Sequence, residues 1–239
     1  MGRLSGRVAV VTGAAVGMGA AHARLLAEEG ASVAVCDLNA AEGEALAETI
    51  GGAFFRLDVA SEVGWKSTLD AVAARLGRVT ILVNNAGTSR IASVEDETEQ
   101  EWNRVMAVNA TGPFLGIKTV APQMKAAGGG VIVNISSTAG INGAKSMVSY
   151  TASKWAIRGL TKAAALDLAP YGIRVVSLHP ALVRTQMSSR LDIAAATAGY
   201  PIPRPGEPDE IARMLRFIVL DATFSTGCEF IADGGSLLL

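Results

Sequence analysis

Cysteine and histidine are scarce in this chain, with two of each among 239 residues. Cys36 and Cys228 do not form a Cys-x-x-Cys pair, and His22 and His179 lie far apart along the sequence. Metal sites need several such ligands at short, regular spacings. The sequence therefore predicts no metal, and the two histidines are expected to pack or form hydrogen bonds.

Charge blocks and long apolar runs are also missing. The net charge is −1 and the lysines and arginines are scattered, which argues against a nucleic-acid-binding surface. No segment reaches the roughly 18 apolar residues of a membrane span. The segment Met1–Gly6 lacks the apolar core of a signal peptide. We therefore expect a soluble cytoplasmic protein with no membrane or nucleic-acid partner.

Strand-like and helix-like segments alternate along the whole chain, and half of its residues are hydrophobic. Such alternation specifies a parallel sheet covered by helices on both faces. No linker or repeat divides the chain, so we predict one α/β domain over residues 1–239, a Rossmann-type doubly wound sheet. The predicted strands are near 8–12, 32–36, 53–57, 80–84, 131–135, 173–178 and 228–232.

A glycine-rich turn follows the first apolar run. Val8–Val11 predicts a buried strand, Thr12–Gly19 contains three glycines, and Ala20–Gly30 is typical of a helix. Glycines let the backbone approach a phosphate, and a helix N-terminus offers unpaired N–H groups. This context predicts a dinucleotide-binding turn; the alternative is a tight turn without a ligand.

Asp37 ends the second predicted strand, eighteen residues after Gly19. An acidic residue there accepts hydrogen bonds from a ribose 2′-hydroxyl and repels a 2′-phosphate. Neither Val16 nor Leu38 offers a cation to such a phosphate, so the sequence favours NAD over NADP. The alternative is an aspartate that only caps the helix beginning near Ala40.

A tyrosine and a lysine stand one helical turn apart at Tyr150 and Lys154, and Ser137 precedes the tyrosine by thirteen residues. A tyrosine has a pKa of about 10, and a nearby ammonium is expected to lower that pKa. With a serine to hold the substrate oxygen, this is a proton-transfer site for converting an alcohol to a carbonyl and back. The alternative is an exposed i,i+4 polar pair.

Together, these motifs resemble the compact, single-domain branch of the short-chain dehydrogenase/reductase family. The resemblance covers about residue 5 to Gly235 and depends on several motifs in the right order. Its motifs are Thr12-Gly-x-x-x-Gly17-x-Gly19, Asn84-Asn-Ala-Gly87, Ser137 and Tyr150-x-x-x-Lys154.

The resemblance implies four catalytic residues. Tyr150 would be the general acid/base, and Lys154 would lower its pKa while binding the nicotinamide ribose. Ser137 would orient the substrate oxygen, and Asn109 would hold a water that connects Lys154 to solvent. For Asn109 alone, a buried structural amide would be the better interpretation without the family context.

The resemblance also implies where the cofactor binds. Asp58 and Val59 would edge the adenine, Asn85 to Gly87 would line the adenosine ribose, and Val183 and Thr185 would bind the carboxamide. The family usually has glycine where Ala181 stands, so the loop over the nicotinamide is expected to sit slightly differently. The full predicted set is Gly13, Gly17, Met18, Gly19, Asp37, Leu38, Asp58, Val59, Asn85, Ala86, Gly87, Tyr150, Lys154, Pro180, Val183 and Thr185.

Three variable segments, 88–95, 138–148 and about 182–205, are predicted to form the substrate site, the last of them as a substrate loop. They contribute an apolar set, which favours a small hydrophobic secondary alcohol or ketone. Ser137, Tyr150, Met147 and Met187 are the predicted substrate contacts. Several stretches, including Thr119–Gly130 and Lys154–Lys162, are similar to bacterial NAD-dependent hydroxysteroid dehydrogenases, so a hydroxysteroid or another alicyclic alcohol is the leading expectation.

Two other functions stay open. A 3-oxoacyl-(acyl-carrier-protein) reductase usually prefers NADP, against Asp37, and docks its carrier through basic residues where this chain has Gly128 and Tyr171. An NAD-binding regulatory protein would need no intact catalytic set. The apolar helices near 98–124 and 150–169 and the terminal Leu237–Leu239 also predict a homo-oligomer, either a tetramer or a dimer.

Overall fold

One parallel sheet of seven strands organises the fold. The computed structural model describes residues 2–189 and 191–239. Met1 and Arg190, which fall within the predicted domain and the predicted substrate loop, lie outside the described residues. The strands are β1 (Val8–Thr12), β2 (Ser32–Asp37), β3 (Ala53–Arg56), β4 (Val79–Asn84), β5 (Gly130–Ile135), β6 (Ile173–Pro180) and β7 (Glu229–Ala232).

The strand order is β3-β2-β1-β4-β5-β6-β7, with every neighbouring pair parallel. Helices lie on both faces, which confirms the predicted Rossmann-type α/β class. Within the described residues the α-helices are α1 (Gly17–Glu28), α2 (Ala40–Thr49), α3 (Glu62–Leu76), α4 (Glu99–Met106), α5 (Gly112–Ala126), α6 (Val148–Leu168), α7 (Ile193–Thr197) and α8 (Pro208–Leu220). None of these helices has the length and apolar character needed to cross a bilayer.

The sheet is buried on both faces, which explains the unbroken apolar runs of its strands. Successive side chains of a strand point to opposite faces. Ala9 and Val11 of β1 accordingly pack in one core with α1 and α8, and Val8 and Val10 pack in the other with α3 and α5. Trp65 is fully buried in the second core. Burial of each large apolar side chain contributes roughly 1.5–3 kcal/mol.

The direction of chain progression reverses between β1 and β4. From β1 the chain moves outward to β2 and β3, then returns to β4 on the other side. The connections diverge at this point, which leaves a crevice beyond the carboxyl ends of the two strands. Gly13 follows β1 and Asn85 follows β4, so the sequence motifs meet at this crevice.

A buried polar chain joins the sheet to α6. Asn84 Nδ2 donates to Asn134 Oδ1 at 2.8 Å, and Asn134 Nδ2 donates to Thr161 Oγ1 at 2.9 Å. All three side chains are almost fully buried. Since removal of one partner would leave a buried polar group unsatisfied, the chain fixes α6 relative to β4 and β5.

His22 makes the stability of this fold pH-dependent. The side chain is fully buried in α1, and neither ring nitrogen has a hydrogen-bond partner among the described residues. Burial lowers its pKa from 6.5 to about 3. The unfolded chain therefore binds a proton below pH 6.5 that the folded chain does not, and folding stability falls as the pH falls from about 6.5 towards 3.

We expect His22 to contribute a loss of about 2 kcal/mol in the free energy of unfolding between pH 7 and pH 5. His22→Leu should remove this contribution, as measured by urea unfolding at both pH values. Burial also lowers the pKa of His179, so the variant should keep a weaker dependence of stability on pH. An identical pH dependence of the wild type and the variant would contradict the prediction.

Candidate active site

Three glycines shape the turn between β1 and α1. Gly13 has φ of +60°, and a Cβ there would stand 2.7 Å from the Ala86 Cα. A Cβ on Gly19 would collide with the carbonyl oxygen of Gly13 and stand 2.6 Å from the Asn85 Nδ2. Gly17 also has φ of +60°, but a Cβ there would meet only the Thr185 side chain. The turn therefore requires glycine for backbone conformation and for close packing.

Helix α1 presents an uncapped N-terminus to a cavity. Its N-cap residue, Val16, makes no side-chain hydrogen bond, and its first turn carries no acidic residue. The N–H groups and partial positive charge of such a helix end favour an anion. The turn and the helix end line a cavity of about 650 Å³. The cradle that a Cβ would fill, and the uncapped helix end, fit the pyrophosphate of a dinucleotide.

Asp37 is fixed at the end of β2 by two backbone amides. Its Oδ2 accepts from Ala15 N at 2.9 Å, and its Oδ1 accepts from Asn39 N at 3.0 Å. The N-cap of α2 is Asn39. Asp37 therefore does not merely cap α2, because its carboxylate bonds the glycine turn and lines the cavity.

Thr12 ties the glycine turn to the segment after β4. Its Oγ1 accepts from Asn85 N and Ala86 N, both at 3.0 Å. Asn85 Nδ2 donates to the carbonyl oxygens of Thr12 and Gly13, and Asn85 Oδ1 is buried without a partner among the described residues. This network holds the two walls of the crevice at a fixed separation, and Asn85 Oδ1 is a free acceptor at the crevice.

Asp58 and Val59 follow β3 and also line the cavity. Asp58 Oδ1 accepts from Ala60 N at 2.9 Å, and the carbonyl of Val59 accepts from Trp65 Nε1 at 3.0 Å. The buried indole thus anchors this segment to α3. Both residues line the cavity, as Gly13 and Gly19 of the glycine turn do.

Tyr150, Lys154 and Ser137 come together at the start of α6. The Ser137 side chain lies close enough to Tyr150 to affect the pKa of the phenol, and Lys154 Nζ lies 5.5 Å from the centroid of the Tyr150 ring. Lys154 is 96 % buried and donates to the carbonyl oxygen of Ile135 at 2.8 Å. The pair is therefore not an exposed i,i+4 contact.

The expected lowering of the Tyr150 pKa is not found. Desolvation raises the pKa of Tyr150, and the nearby Ser137 hydroxyl only opposes this rise. Burial also lowers the pKa of Lys154 to about 8. Proximity of the ammonium alone predicts a lower pKa for Tyr150, but desolvation of both groups favours their neutral forms.

Asn109 lies in a π-helical turn, Ala107–Thr111, between α4 and α5. The sequence predicted one helix near 98–124, and this turn interrupts it. Asn109 Oδ1 accepts from Thr88 N, and its Nδ2 donates to Thr88 O and to Ser153 Oγ, at 2.8, 2.8 and 3.0 Å. Insertion of one residue into a helix often marks a functional site.

The structure brings most of the predicted cofactor-binding residues to the cavity. Those that line it are Gly13, Gly17, Met18, Gly19, Asp37, Leu38, Asp58, Val59, Asn85, Ala86, Gly87 and Thr185. Tyr150, Lys154, Pro180 and Val183 are not part of its lining; Pro180 ends β6, and Val183 is buried beside Gly206. Met187 lines the cavity, whereas Met147 pairs with Ala92 beyond it.

Several residues of the site were not predicted individually from the sequence. Arg104 lines the cavity, where Nη1 donates to Thr88 Oγ1 at 2.7 Å and Nη2 pairs with Glu101 at 2.9 Å. His179 supports Ser137 by a 3.0 Å contact between its Nδ1 and the Ser137 carbonyl oxygen. The other lining residues that were not predicted are Val16, Leu57, Ala60, Thr88, Ala107, Val108 and Gln186. No local sequence signal distinguishes these from ordinary packing residues.

A crevice that fits a dinucleotide, next to a buried lysine and a half-buried tyrosine and serine, defines a nucleotide-dependent oxidoreductase. The profile of the short chain dehydrogenase family matches residues 7–195. The chain belongs to the short-chain dehydrogenase/reductase family, as its motifs predicted. Members of this family use a nicotinamide cofactor, NAD or NADP.

Similar proteins cover nearly the whole chain. A 3-alpha-(or 20-beta)-hydroxysteroid dehydrogenase of Mycobacterium tuberculosis is 44% identical over 99% of this chain and 91% of its own length. A trans-4-hydroxycyclohexanecarboxylate dehydrogenase of Sinomonas cyclohexanicum is 43% identical, over 98% and 93%. A cyclopentanol dehydrogenase of Comamonas testosteroni is 41% identical, over 98% of both chains. The predicted resemblance to hydroxysteroid dehydrogenases is confirmed.

Proposed function

We propose that this protein is an NAD-dependent dehydrogenase that interconverts a hydrophobic alicyclic secondary alcohol and its ketone. A hydroxysteroid is the leading candidate substrate. The observation that carries the proposal is the placement of Tyr150 close to Ser137 and beside the buried Lys154, next to a crevice shaped for a dinucleotide. The enzyme would act in the cytoplasm.

Tyr150 would exchange the proton of the substrate oxygen, and Ser137 would orient that oxygen. With a pKa of about 8, Lys154 is mostly an ammonium at neutral pH, and its charge would stabilise the tyrosinate that forms during alcohol oxidation. Asn109 would hold a water that connects Lys154 to solvent, which gives the proton a path out of the site. When bound, the nicotinamide supplies the hydride acceptor or donor.

The glycine turn and the N-terminus of α1 would hold the pyrophosphate. Asp58 and Val59 would contact the edge of the adenine ring. Asn85, Ala86 and Gly87 would line the adenosine ribose. The nicotinamide end would lie towards Lys154 and Tyr150, with its carboxamide held by Pro180, Val183 and Thr185. These roles follow the family motif; the positions of the residues around one crevice support them.

The preference for NAD would come from Asp37, since its carboxylate lines the cavity and repels a ribose 2′-phosphate. Asp37→Ala should reduce the ratio of kcat/KM for NAD to that for NADP by about tenfold, equivalent to about 1.4 kcal/mol. Loss of the hydrogen bonds to Ala15 and Asn39 affects the reactions with both cofactors, so it does not change the ratio of the two kcat/KM values. Glu42→Ala, an exposed acidic residue in α2, is the control. An unchanged ratio in Asp37→Ala would show that the acid does not select the cofactor.

The substrate site would be apolar. Ile91, Met187 and Leu191 are exposed on the segments around the crevice, and Met147 is half-buried directly before α6. These segments fall within the predicted substrate segments, including the loop at about 182–205. The three similar proteins bear the names of alicyclic alcohols, which supports an alicyclic substrate here.

A panel of hydroxysteroids, cyclic alcohols and acyl thioesters, assayed with NAD(H) and NADP(H), tests the proposal. We expect turnover of an alicyclic alcohol with NAD. Turnover restricted to 3-oxoacyl thioesters would favour a 3-oxoacyl-(acyl-carrier-protein) reductase. The region where such a reductase would dock its carrier does hold a cation, since Lys125 Nζ lies 3.6 Å from the Tyr171 ring centroid. NAD binding without turnover of any compound would favour a regulatory protein.

The protein would work as a homo-oligomer. Phe114 on α5 and Trp155 and Leu166 on α6 are exposed, as are Leu238 and Leu239. Large exposed apolar side chains on adjacent helices favour a protein contact. A monomer in light scattering at micromolar concentration would rule this out.

A further inference from the structure

A buried carboxylate lies against the first turn of α6. The Glu97 side chain is only 5 % exposed, and its Oε2 accepts from Ser149 Oγ at 2.7 Å. Ser149 is fully buried and directly precedes Tyr150. Glu97 itself stands immediately before Thr98, the N-cap of α4. The bond therefore joins the start of α4 to the residue next to the proposed acid/base.

The other oxygen of Glu97 has no hydrogen-bond partner. Glu97 Oε1 and Arg90 Nε are both buried and unpartnered among the described residues, and they lie 4.0 Å apart. A buried carboxylate is costly unless it is paired and hydrogen-bonded. Ser149 supplies its one side-chain hydrogen bond, with Arg90 as a nearby counter-charge. Packing of α4 alone would be served as well by an apolar side chain.

Asn109 makes a second tie to the same turn. Its Nδ2 donates to Ser153 Oγ at 3.0 Å, and Ser153 Oγ donates to the carbonyl oxygen of Tyr150 at 2.7 Å. Tyr150 thus lies between two serines, one bonded to Glu97 before α4 and the other to Asn109 after it. Both ends of α4 hold the turn that carries the tyrosine.

The backbone that leads into α6 is held in an unfavourable conformation. Ser146 has φ of +58°, the one positive φ outside glycine among the described residues, and its carbonyl accepts from Ala92 N at 2.8 Å. Met147, the N-cap of α6, makes no side-chain capping bond. A strained entry without a cap needs support from elsewhere. Glu97 supplies it through Ser149.

We propose that Glu97 is a positioning residue that fixes Tyr150 through its hydrogen bond with Ser149. The inference rests on the proposed function, in which Tyr150 exchanges the proton. Loss of the bond would let the first turn of α6 shift, and displacement of a catalytic group by about 1 Å can cost up to 100-fold in rate. The cofactor crevice does not include Glu97 or Ser149, so cofactor affinity would be preserved.

The test compares Glu97→Ala, Glu97→Gln and Glu99→Ala. Glu99 is exposed two residues later, at the start of α4, and serves as the matched control. We expect Glu97→Ala to lower kcat by about tenfold or more while the Kd for NADH stays unchanged. Glu97→Gln keeps an oxygen acceptor for Ser149 and should restore most of kcat. Hydrogen exchange of residues 144–152 should be faster in Glu97→Ala than in Glu99→Ala.

Hydrogen exchange can be measured without turnover, so it tests the positioning role of Glu97 separately from the proposed function. If the wild type turns over nothing in the substrate panel, the proposed function fails, and exchange alone decides the role of Glu97. Unchanged exchange in Glu97→Ala would overturn the positioning role. Equal losses of kcat and NADH affinity would also overturn it, since they would indicate general damage to the fold. A double-mutant cycle with Ser149→Ala should be non-additive; additive losses would contradict a shared bond.

Discussion

Tyr150→Phe should lower kcat by about 1,000-fold or more and leave the Kd for NADH nearly unchanged. The substitution removes the phenolic hydroxyl, and with it the interaction with Ser137, but keeps the ring, which Lys154 approaches to 5.5 Å. General acid–base catalysis contributes roughly 10²–10⁴-fold, and here the same hydroxyl also orients the substrate oxygen. Steady-state kinetics and NADH fluorescence titration measure the two quantities.

Tyr171→Phe is the matched control for this experiment. Tyr171 is half exposed, follows α6 and contacts Lys125 instead of the site. Its loss should leave kcat unchanged. More than a few per cent of wild-type activity in Tyr150→Phe would exclude Tyr150 as the acid/base, because water does not replace an oriented hydroxyl with that efficiency.

Gly19→Ala should weaken NADH binding by about 100-fold, the upper part of the 1–3 kcal/mol that overpacking costs. The added methyl group would collide with the carbonyl oxygen of Gly13 and crowd Asn85 Nδ2. The turn and the segment after β4 would have to separate, and the cradle for the pyrophosphate would widen. NADH titration gives the affinity, and circular dichroism checks that the sheet and helices persist.

Gly17→Ala, in the same turn, provides the comparison. Its methyl group would meet only the Thr185 side chain at 3.4 Å, so the cost comes from φ of +60°, about 1–2 kcal/mol. We expect about a tenfold loss of NADH affinity or less. If Gly19→Ala bound NADH as tightly as the wild type, close packing within the turn would not be what shapes the site.

The sheet was predictable from the sequence because most of its strands are short apolar runs that contain several β-branched residues. Val8–Thr12 was predicted with its observed bounds, and the other six strands within one or two residues. The glycine turn and Asp37 were predictable because they depend on local order along the chain. Their meeting at the crevice follows from the parallel arrangement.

Contacts between distant segments were not predictable. The π-helical turn at Asn109 breaks a helix that local propensity favours, and its stabilising contacts come from Thr88 and Ser153. The raised pKa of Tyr150 depends on desolvation, which sequence spacing cannot report. Glu97 appears in the sequence as one of several acidic residues before α4, and only the fold reveals that its carboxylate is buried.

The cavity lining is divided unevenly along the chain. Apart from Thr185, Gln186 and Met187, its walls come from residues 13–108. Ser137, Tyr150 and the segment before α6 belong to the second half of the chain. Mutations that reshape the segment before α6 can therefore accumulate without touching the walls that receive the nucleotide. Such a division lets descendants of one ancestor diversify in the alcohols they accept while inheriting the same redox partner.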